Sequence, residues 1–380
     1  MEPLVWHLVF AVSTAALIWC HAGYPLWLWF RSGGDDAAAA GFPPPASGEV
    51  SVVIAARNEG ARVGGKIAGL LAGGAAHIRE IIVVCDHCTD DTAAQAAAAG
   101  DPRIRVILHD DGPPGKPGAL NEGVAAATGE LIFFTDVRQR IAADASARLA
   151  AWFSDPANGA VSGSLEIEPA NQSAGTGLDL YWRLEKFIRH RESRLDSSIG
   201  CTGAIYMIRR ALYQPLPADT ILDDVVTPMR IVLSGHRVRF DPDAKAFDPQ
   251  TLDGEAESRR KIRTLAGNFQ MLFRHPQWLL PPVNRLWWEL ISHKYLRIAA
   301  PAFLTGCLAA SWRLRALPLY AAMWWAQVFL WALAVVGLLL PGLRVRILCI
   351  PAGFLFLQVS VVRGFVFWLK SLGRPQTGWK

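Results

Sequence analysis

Apolar residues fall along this chain in two different patterns. At the ends they form long runs. Residues 4–30, LVWHLVFAVSTAALIWCHAGYPLWLWF, contain no acid and no lysine or arginine. At about 1.5 Å per helical residue such a run can cross a bilayer core of roughly 30 Å. Its length, the missing basic start and the bulky residues at its end argue for a retained anchor over a cleaved leader. Three further runs, at about 295–312, 317–340 and 347–369, are separated by RLRA and PGLRVR. Between the ends the pattern is short bursts: EVSVVIAAR, EIIVVCD, RIRVILHDD and ELIFFTD. Each has the length of a buried strand, and alanine-rich, helix-compatible segments separate them.

Strand alternating with helix predicts an α/β domain built on a mostly parallel, doubly wound sheet. Ligands of such sheets bind beyond the carboxyl ends of the strands. The residues expected there are Arg57, Asn58 and Glu59, then Asp86, Asp110, Asp111 and Asp136, a rim rich in acids. The pattern divides the chain into an anchor (1–31), a Gly/Ala/Pro-rich linker (32–47), the α/β domain (48–252), a stretch where bases and tryptophans interleave as on interfacial helices (253–293), C-terminal transmembrane helices (294–370) and a basic tail (371–380).

Composition agrees with a partly lipid-embedded chain: 52% of residues are hydrophobic and 19% charged. The net charge of +5 and the fifteen tryptophans could suggest nucleic acid, but the tryptophans sit in or beside the apolar runs, which points to membrane lipids as partner and away from nucleic acid. The six scattered cysteines lack the density of a disulfide scaffold, which implies a reducing compartment for the middle domain. Both short loops between apolar runs carry two arginines and the tail is basic, so the side on which the tail lies is not legible.

Three chemistries compete for the acidic rim. GARVGGKI places Gly60, Gly65 and Lys66 at the spacing of a phosphate loop, the signature of an NTPase, but Ile67 stands where magnesium needs Ser or Thr. CDHC offers Cys85, His87 and Cys88 beside a strand end, yet no second pair completes a zinc site. The third reading takes the whole rim together. VSVVIAARNE, VVCDHCTDDT, GKPGALNEG, LIFFTD, GCTGAIYMIRR and ILDDVVTPMRIVLSGHRVRFDPDA occur in an order that resembles the membrane-bound family-2 glycosyltransferases, from about Val50 to Asn268.

That resemblance implies a GT-A fold, Rossmann-like, carrying one N-terminal and about three C-terminal transmembrane helices. It also implies a nucleotide-diphosphate sugar as donor, with UDP expected, and a lipid-linked or saccharide acceptor. By motif position, Arg57 and Glu59 would contact the nucleoside, Asp86 the base, and Lys116 the diphosphate. Asp136 matches the first acid of the family's Asp-x-Asp motif, which binds ribose and a divalent cation. Here the second acid is replaced by Arg138, whose guanidinium repels the cation that a carboxylate attracts. Two solutions stand open: Mg2+ or Mn2+ held by Asp136, phosphate oxygens and water, which is the expectation, or Arg138 neutralising part of the leaving diphosphate. Asp224 corresponds to the catalytic base of an inverting transfer, with Asp223 orienting it, and Gly203 to the loop flanking the acceptor.

Processive members carry Gln-x-x-Arg-Trp where this chain has RKIRT. Arg260 replaces the glutamine, Arg263 remains to clamp phosphate, and Thr264 replaces the tryptophan on which a growing glycan stacks. The expectation is therefore transfer to a membrane-proximal acceptor in envelope or exopolysaccharide synthesis, at a bacterial-type inner membrane with the catalytic domain in the cytoplasm. The alternatives are a processive polysaccharide synthase, a membrane-anchored NTPase and an inactive nucleotide-sugar-binding subunit.

Overall fold

Three of the four apolar bursts form buried strands of the sheet because they can be covered on both faces, and the fourth, RIRVILHDD, forms an edge strand with no fully buried residue. The computed structural model describes residues 2–33, 50–73, 75–168, 177–249, 254–340, 342–343 and 345–372. The expected linker and basic tail fall almost wholly outside these residues. Strands β1 (Val50–Ala56), β2 (Ile78–Asp86), β3 (Ile104–His109) and β4 (Leu131–Phe134) run parallel in the order β3-β2-β1-β4. Every residue of β1 is buried. Its alternate side chains feed two cores: Val53 and Ala55 one, Val52, Ile54 and Ala56 the other.

Beyond β4 the sheet continues as β7 (Tyr206–Arg209), β6 (Asn158–Glu168), β8 (Arg237–Pro249) and β5 (Arg140–Ile141). In this half β4–β7, β7–β6 and β8–β5 are antiparallel and β6–β8 parallel. Helices α3 (Gly60–Ala72), α4 (Thr92–Ala97) and α6 (Ala145–Ala151) cover the second core. Helices α5 (Lys116–Ala126) and α8 (Asp223–Leu233) cover the first, where Gly123 lets α5 approach: a β-carbon there would stand 2.5 Å from Val53.

The first core does not stop at the edge of this lobe. It runs on through Ala266, Phe269 and Met271 of α9 (Gly254–Arg274) to Val361 and Trp368 of α13 (Arg346–Ser371). Trp368 stacks on Phe273 at 4.5 Å, and a β-carbon on Gly364 would meet Leu265 at 2.8 Å. The lobe and the apolar helices therefore share one packed interior.

At the N-terminus α1 (Glu2–Ile18) and α2 (Tyr24–Arg31) are joined by a π-helical turn, Trp19–Gly23. Among the described residues three helices are long and apolar enough to cross a membrane: Pro3–Arg31, α12 (Pro318–Leu339) and α13. The apolar run at 295–312 also forms a helix, α11 (Leu296–Arg313), with Arg297 and Arg313 near its ends. It continues α10 (Trp287–Leu290) through another π-turn, Ile291–Tyr295, and packs along α1, with Thr14 Oγ1 3.4 Å from Cys307 Sγ.

Candidate active site

The rim is assembled by strand ends and helix starts. Because β2, β1 and β4 are neighbours, their carboxyl ends span roughly 10 Å at about 4.8 Å per strand. Asp136 lies two residues past β4, and Lys116 is the first residue of α5, held there by Pro117, which suits a helix start. Lys116 Nζ donates to Asp136 Oδ1 at 2.9 Å and stands 3.3 Å from Asp223 Oδ2. The second contact is an ion pair without hydrogen-bond geometry, so Asp223 Oδ2 stays buried and unbonded. Burial works against the ammonium, but the carboxylates of Asp136, Asp223 and Asp224 outweigh it and hold Lys116 well above the usual lysine range.

Asp223 and Asp224 open α8, where the helix dipole favours anions. Dipole stabilisation does not decide Asp224, however. Burial first, and then the Asp223 charge, raise it to about 6, against the pull of Lys116 and Arg189. A carboxyl poised so near neutrality is suited to accept a proton. Its Oδ2 accepts the Gly203 N–H at 3.2 Å, and a β-carbon on Gly203 would lie 3.1 Å from that oxygen. Lys116, Asp136, Asp223, Asp224 and Gly203, separated in the chain, thus meet in one place.

The nucleoside end of the rim is less open. Asp86 ends β2 and is fully buried, with Oδ1 2.8 Å from His87 Nδ1. His87 takes a left-handed backbone, φ 48°, and covers it. Asp86 is at the expected strand end, but the imidazole of His87, weighed in the sequence only as a metal ligand, is the more exposed group. Arg57 follows β1, half-buried. Glu59 pairs with Arg62 at 2.8 Å, and its N–H donates to Thr92 Oγ1 at 2.8 Å.

Arg138 does not face solvent. It pairs with Asp248 of β8, and Arg260 stands 3.7 Å from the same Asp248 oxygen. The short β5–β8 pairing, Arg140 opposite Phe247, sets this register. Asp248 has no motif around it and was not foreseen. Arg263 sits half-buried on the same helix, α9, as Arg260, and Thr264 is exposed with its hydroxyl donating to Arg260 O at 3.1 Å.

The phosphate-loop reading is corrected. Gly60, Gly65 and Lys66 all lie inside α3, so no loop exists to wrap a phosphate. Lys66 instead points into the lobe and donates to Thr135 Oγ1 and Gln139 O, both at 2.7 Å, bracketing the Asp136 segment. Burial pushes its ammonium down to about 7. The cysteines of CDHC are free thiols, with Cys85 in the second core.

A divalent ion at Asp136 would depend on that one carboxylate and on oxygens of a bound ligand. One of the Asp136 oxygens is taken by Lys116, the position two residues on is Arg138, and among the described residues no cluster of three or more His, Cys, Asp or Glu could hold a metal.

A mixed α/β sheet in this strand order is the GT-A fold, here joined to apolar helices. Residues 51–216 match the model of the family described as Glycosyl transferase family 2. A poly-beta-1,6-N-acetyl-D-glucosamine synthase of Staphylococcus aureus is 23% identical over 203 residues, 52% of this chain and 49% of that protein. The chain therefore spans about half the length of these curated relatives. A beta-monoglucosyldiacylglycerol synthase of Synechocystis sp. is 29% identical over 301 residues, 74% of this chain and 60% of that one. Among solved structures, a mannosyltransferase of Pyrobaculum calidifontis, determined with GDP-Man and Mn2+, has a TM-score of 0.69 at 22% identity, covering 95% of this chain and 99% of its own.

Proposed function

We propose that the protein is an inverting glycosyltransferase that moves a sugar from a nucleotide-diphosphate donor, UDP being the expected nucleotide, to a hydroxyl carried at the membrane. The observation that carries this reading is the meeting of Lys116, Asp136 and Asp223 beside an Asp224 raised to about 6. In it the nucleoside lies over Arg57, Glu59 and the Asp86–His87 pair, and the diphosphate lies at Lys116, Asp136 and Arg138, with Arg260 and Arg263 at its edge. Asp224 takes the proton from the acceptor hydroxyl, whose oxygen attacks the anomeric carbon from the face opposite the diphosphate. The bond from that carbon to phosphate breaks and its electron pair leaves on the diphosphate. Asp223 keeps Lys116 and Asp224 in register, and Gly203 leaves room for the acceptor.

A lipid-borne acceptor is favoured because the first core continues from α8 into α9 and α13, so the site and the apolar helices are packed together. The glycolipid synthase of Synechocystis, which this chain matches over 74% of its length, supports the same reading. The three apolar helices support attachment to the inner membrane, with the lobe on the cytoplasmic side, where nucleotide sugars are made. The staphylococcal relatives favour a second reading, a processive polysaccharide synthase. Against it, Thr264 offers no aromatic platform. Incubating the purified protein and a lipid extract with a panel of nucleotide sugars tests the proposal. Released nucleoside diphosphate with a singly extended lipid product supports it, a polymer ladder favours the second reading, and no release from any donor removes both.

A further inference from the structure

We propose that a groove between α11, α12 and α13 binds one anionic phospholipid, with the lipid phosphate on Arg363, a headgroup hydroxyl on Gln358 and an acyl chain along the groove wall. This site is separate from the acidic rim, and it does not depend on the nucleotide-sugar reading. Leu304 and Leu308, one turn apart on α11, and Val359 and Val362 of α13 line a space of about 320 Å³ that Trp331 of α12 also borders. Val359 and Val362 are 45% and 50% exposed, so the wall opens outward from the protein. Because α12 and α13 are long and apolar enough to cross a membrane, acyl chains are what such a wall meets. The lobe uses another face of α13, where Gly364 and Trp368 pack on α9.

Two polar groups in this apolar groove are left without a protein partner. Among the described residues Arg363 makes no hydrogen bond, ion pair or ring contact. Other arginines of the C-terminal helices are all engaged near their ends: Arg297 pairs with Glu185 at 3.0 Å, and Arg313 and Arg315 lie over the rings of Trp6 and Trp312 at 5.9 and 3.7 Å. Arg363 stands two turns before Ser371, the end of α13, about 12 Å along the axis. A guanidinium among apolar side chains cannot shed its charge, so it calls for an anion. Gln358, on the same side of α13, is 8% exposed, and its Oε1 is buried and accepts no hydrogen bond. One headgroup satisfies both residues. Phosphate oxygens accept from the guanidinium two at a time, and a hydroxyl beside the phosphate donates to Oε1. The acyl chain then covers Leu304, Leu308, Val359 and Val362, which a free phosphate ion would leave bare. Basic pockets between membrane helices suit anionic headgroups on the same grounds.

Native mass spectrometry of the full-length protein in detergent, titrated with phosphatidylglycerol and with phosphatidylcholine, tests this. Phosphatidylglycerol carries the phosphate and the hydroxyls without a cation, whereas phosphatidylcholine carries a cation and no hydroxyl. The wild type is expected to hold one phosphatidylglycerol about fivefold or more tighter than phosphatidylcholine, the scale of one basic residue meeting an anionic lipid. Arg363→Gln should abolish that preference, Arg363→Lys should keep part of it, and Gln358→Leu should reduce it while leaving the charge in place. Inorganic phosphate in large excess should not displace the lipid. Equal binding of the two lipids by the wild type overturns the inference without recourse to any variant. So does no bound lipid, an undiminished preference in Arg363→Gln, or displacement by inorganic phosphate, which would make the site one for the anion alone. None of these results bears on nucleotide binding at the rim, which is read separately with UDP and GDP.

Discussion

The backbone N–H of Gly203 donates to Asp224 Oδ2 at 3.2 Å, and nothing but a hydrogen atom can occupy the space between them: a β-carbon at 203 would stand 3.1 Å from that oxygen. Gly203→Ala is therefore expected to displace the carboxylate by a few tenths of an ångström. Turnover should fall by about tenfold to a hundredfold, as for other small misplacements of a reacting group, while nucleotide binding is unchanged. Equal losses in binding and turnover would show that the glycine serves the donor instead.

The raised pKa of Asp224 sets a pH dependence. A general base works only when ionised, so kcat/KM should rise about tenfold per pH unit below about 6 and level off above it. Asp223→Asn removes a like charge that helps to hold Asp224 up, so the inflection should move to lower pH. A pH–rate profile of the two proteins decides the matter; an inflection unmoved by the substitution would separate the two acids.

Lys116 has the opposite influence. Lys116→Met leaves Asp136, Asp223 and Asp224 facing one another without their shared cation. Nucleotide binding should weaken by about tenfold or more, and any residual activity should show its inflection displaced to higher pH. Titration with UDP or GDP, followed by rate profiles at saturating donor, reads both effects.

A buried charge network fastens the lobe to the apolar helices. Glu185 of α7 (Gly177–Leu195) accepts from Arg189 at 3.2 Å, Lys294 at 3.1 Å, Arg297 at 3.0 Å and His293 at 3.0 Å. The other nitrogen of His293 meets Glu192 at 2.8 Å, which also accepts from Tyr24 of the N-terminal helix at 2.7 Å. Burial opposes the Glu185 charge, but His293, Lys294 and Arg189 hold it well below the usual carboxylate range. Glu185→Ala strands Arg189, Lys294 and Arg297 in a dry interior and should cost about 3–5 kcal/mol. Thermal unfolding in detergent would register this as a large fall in midpoint; an unchanged midpoint would mean that water already reaches the network. Because Arg189 also donates to Thr202 Oγ1 at 2.9 Å, beside Gly203, the same variant should lower turnover.

What the sequence disclosed follows from where its signals are local. Strands β1, β2 and β4 were legible because strands covered on both faces must be continuous apolar runs, β3 because Ile104 and Val106 alternate with other residues at the edge, and the rim followed from their carboxyl ends. The outer half of the sheet was not. β8, RVRFDPDAKAFDP, alternates and carries charge, and its bulged pairing with β6 is a tertiary property. Asp248 was missed for that reason: a lone acid in a polar strand has no spacing to announce it. The phosphate-loop spacing around Lys66, which Ile67 already argued against, is reproduced by a glycine-rich helix. The Glu185–His293 contact joins residues 108 apart in sequence, so no local spacing announces it.

The account turns on the claim that Asp224 takes the acceptor proton while other residues hold the donor. Asp224→Asn keeps the size of the side chain and removes its basicity. With the donor that the wild type uses, this variant is predicted to bind nucleotide within about threefold of wild type and to lose roughly a hundredfold to ten-thousandfold in released nucleoside diphosphate. Wild-type turnover from Asp224→Asn would contradict the account.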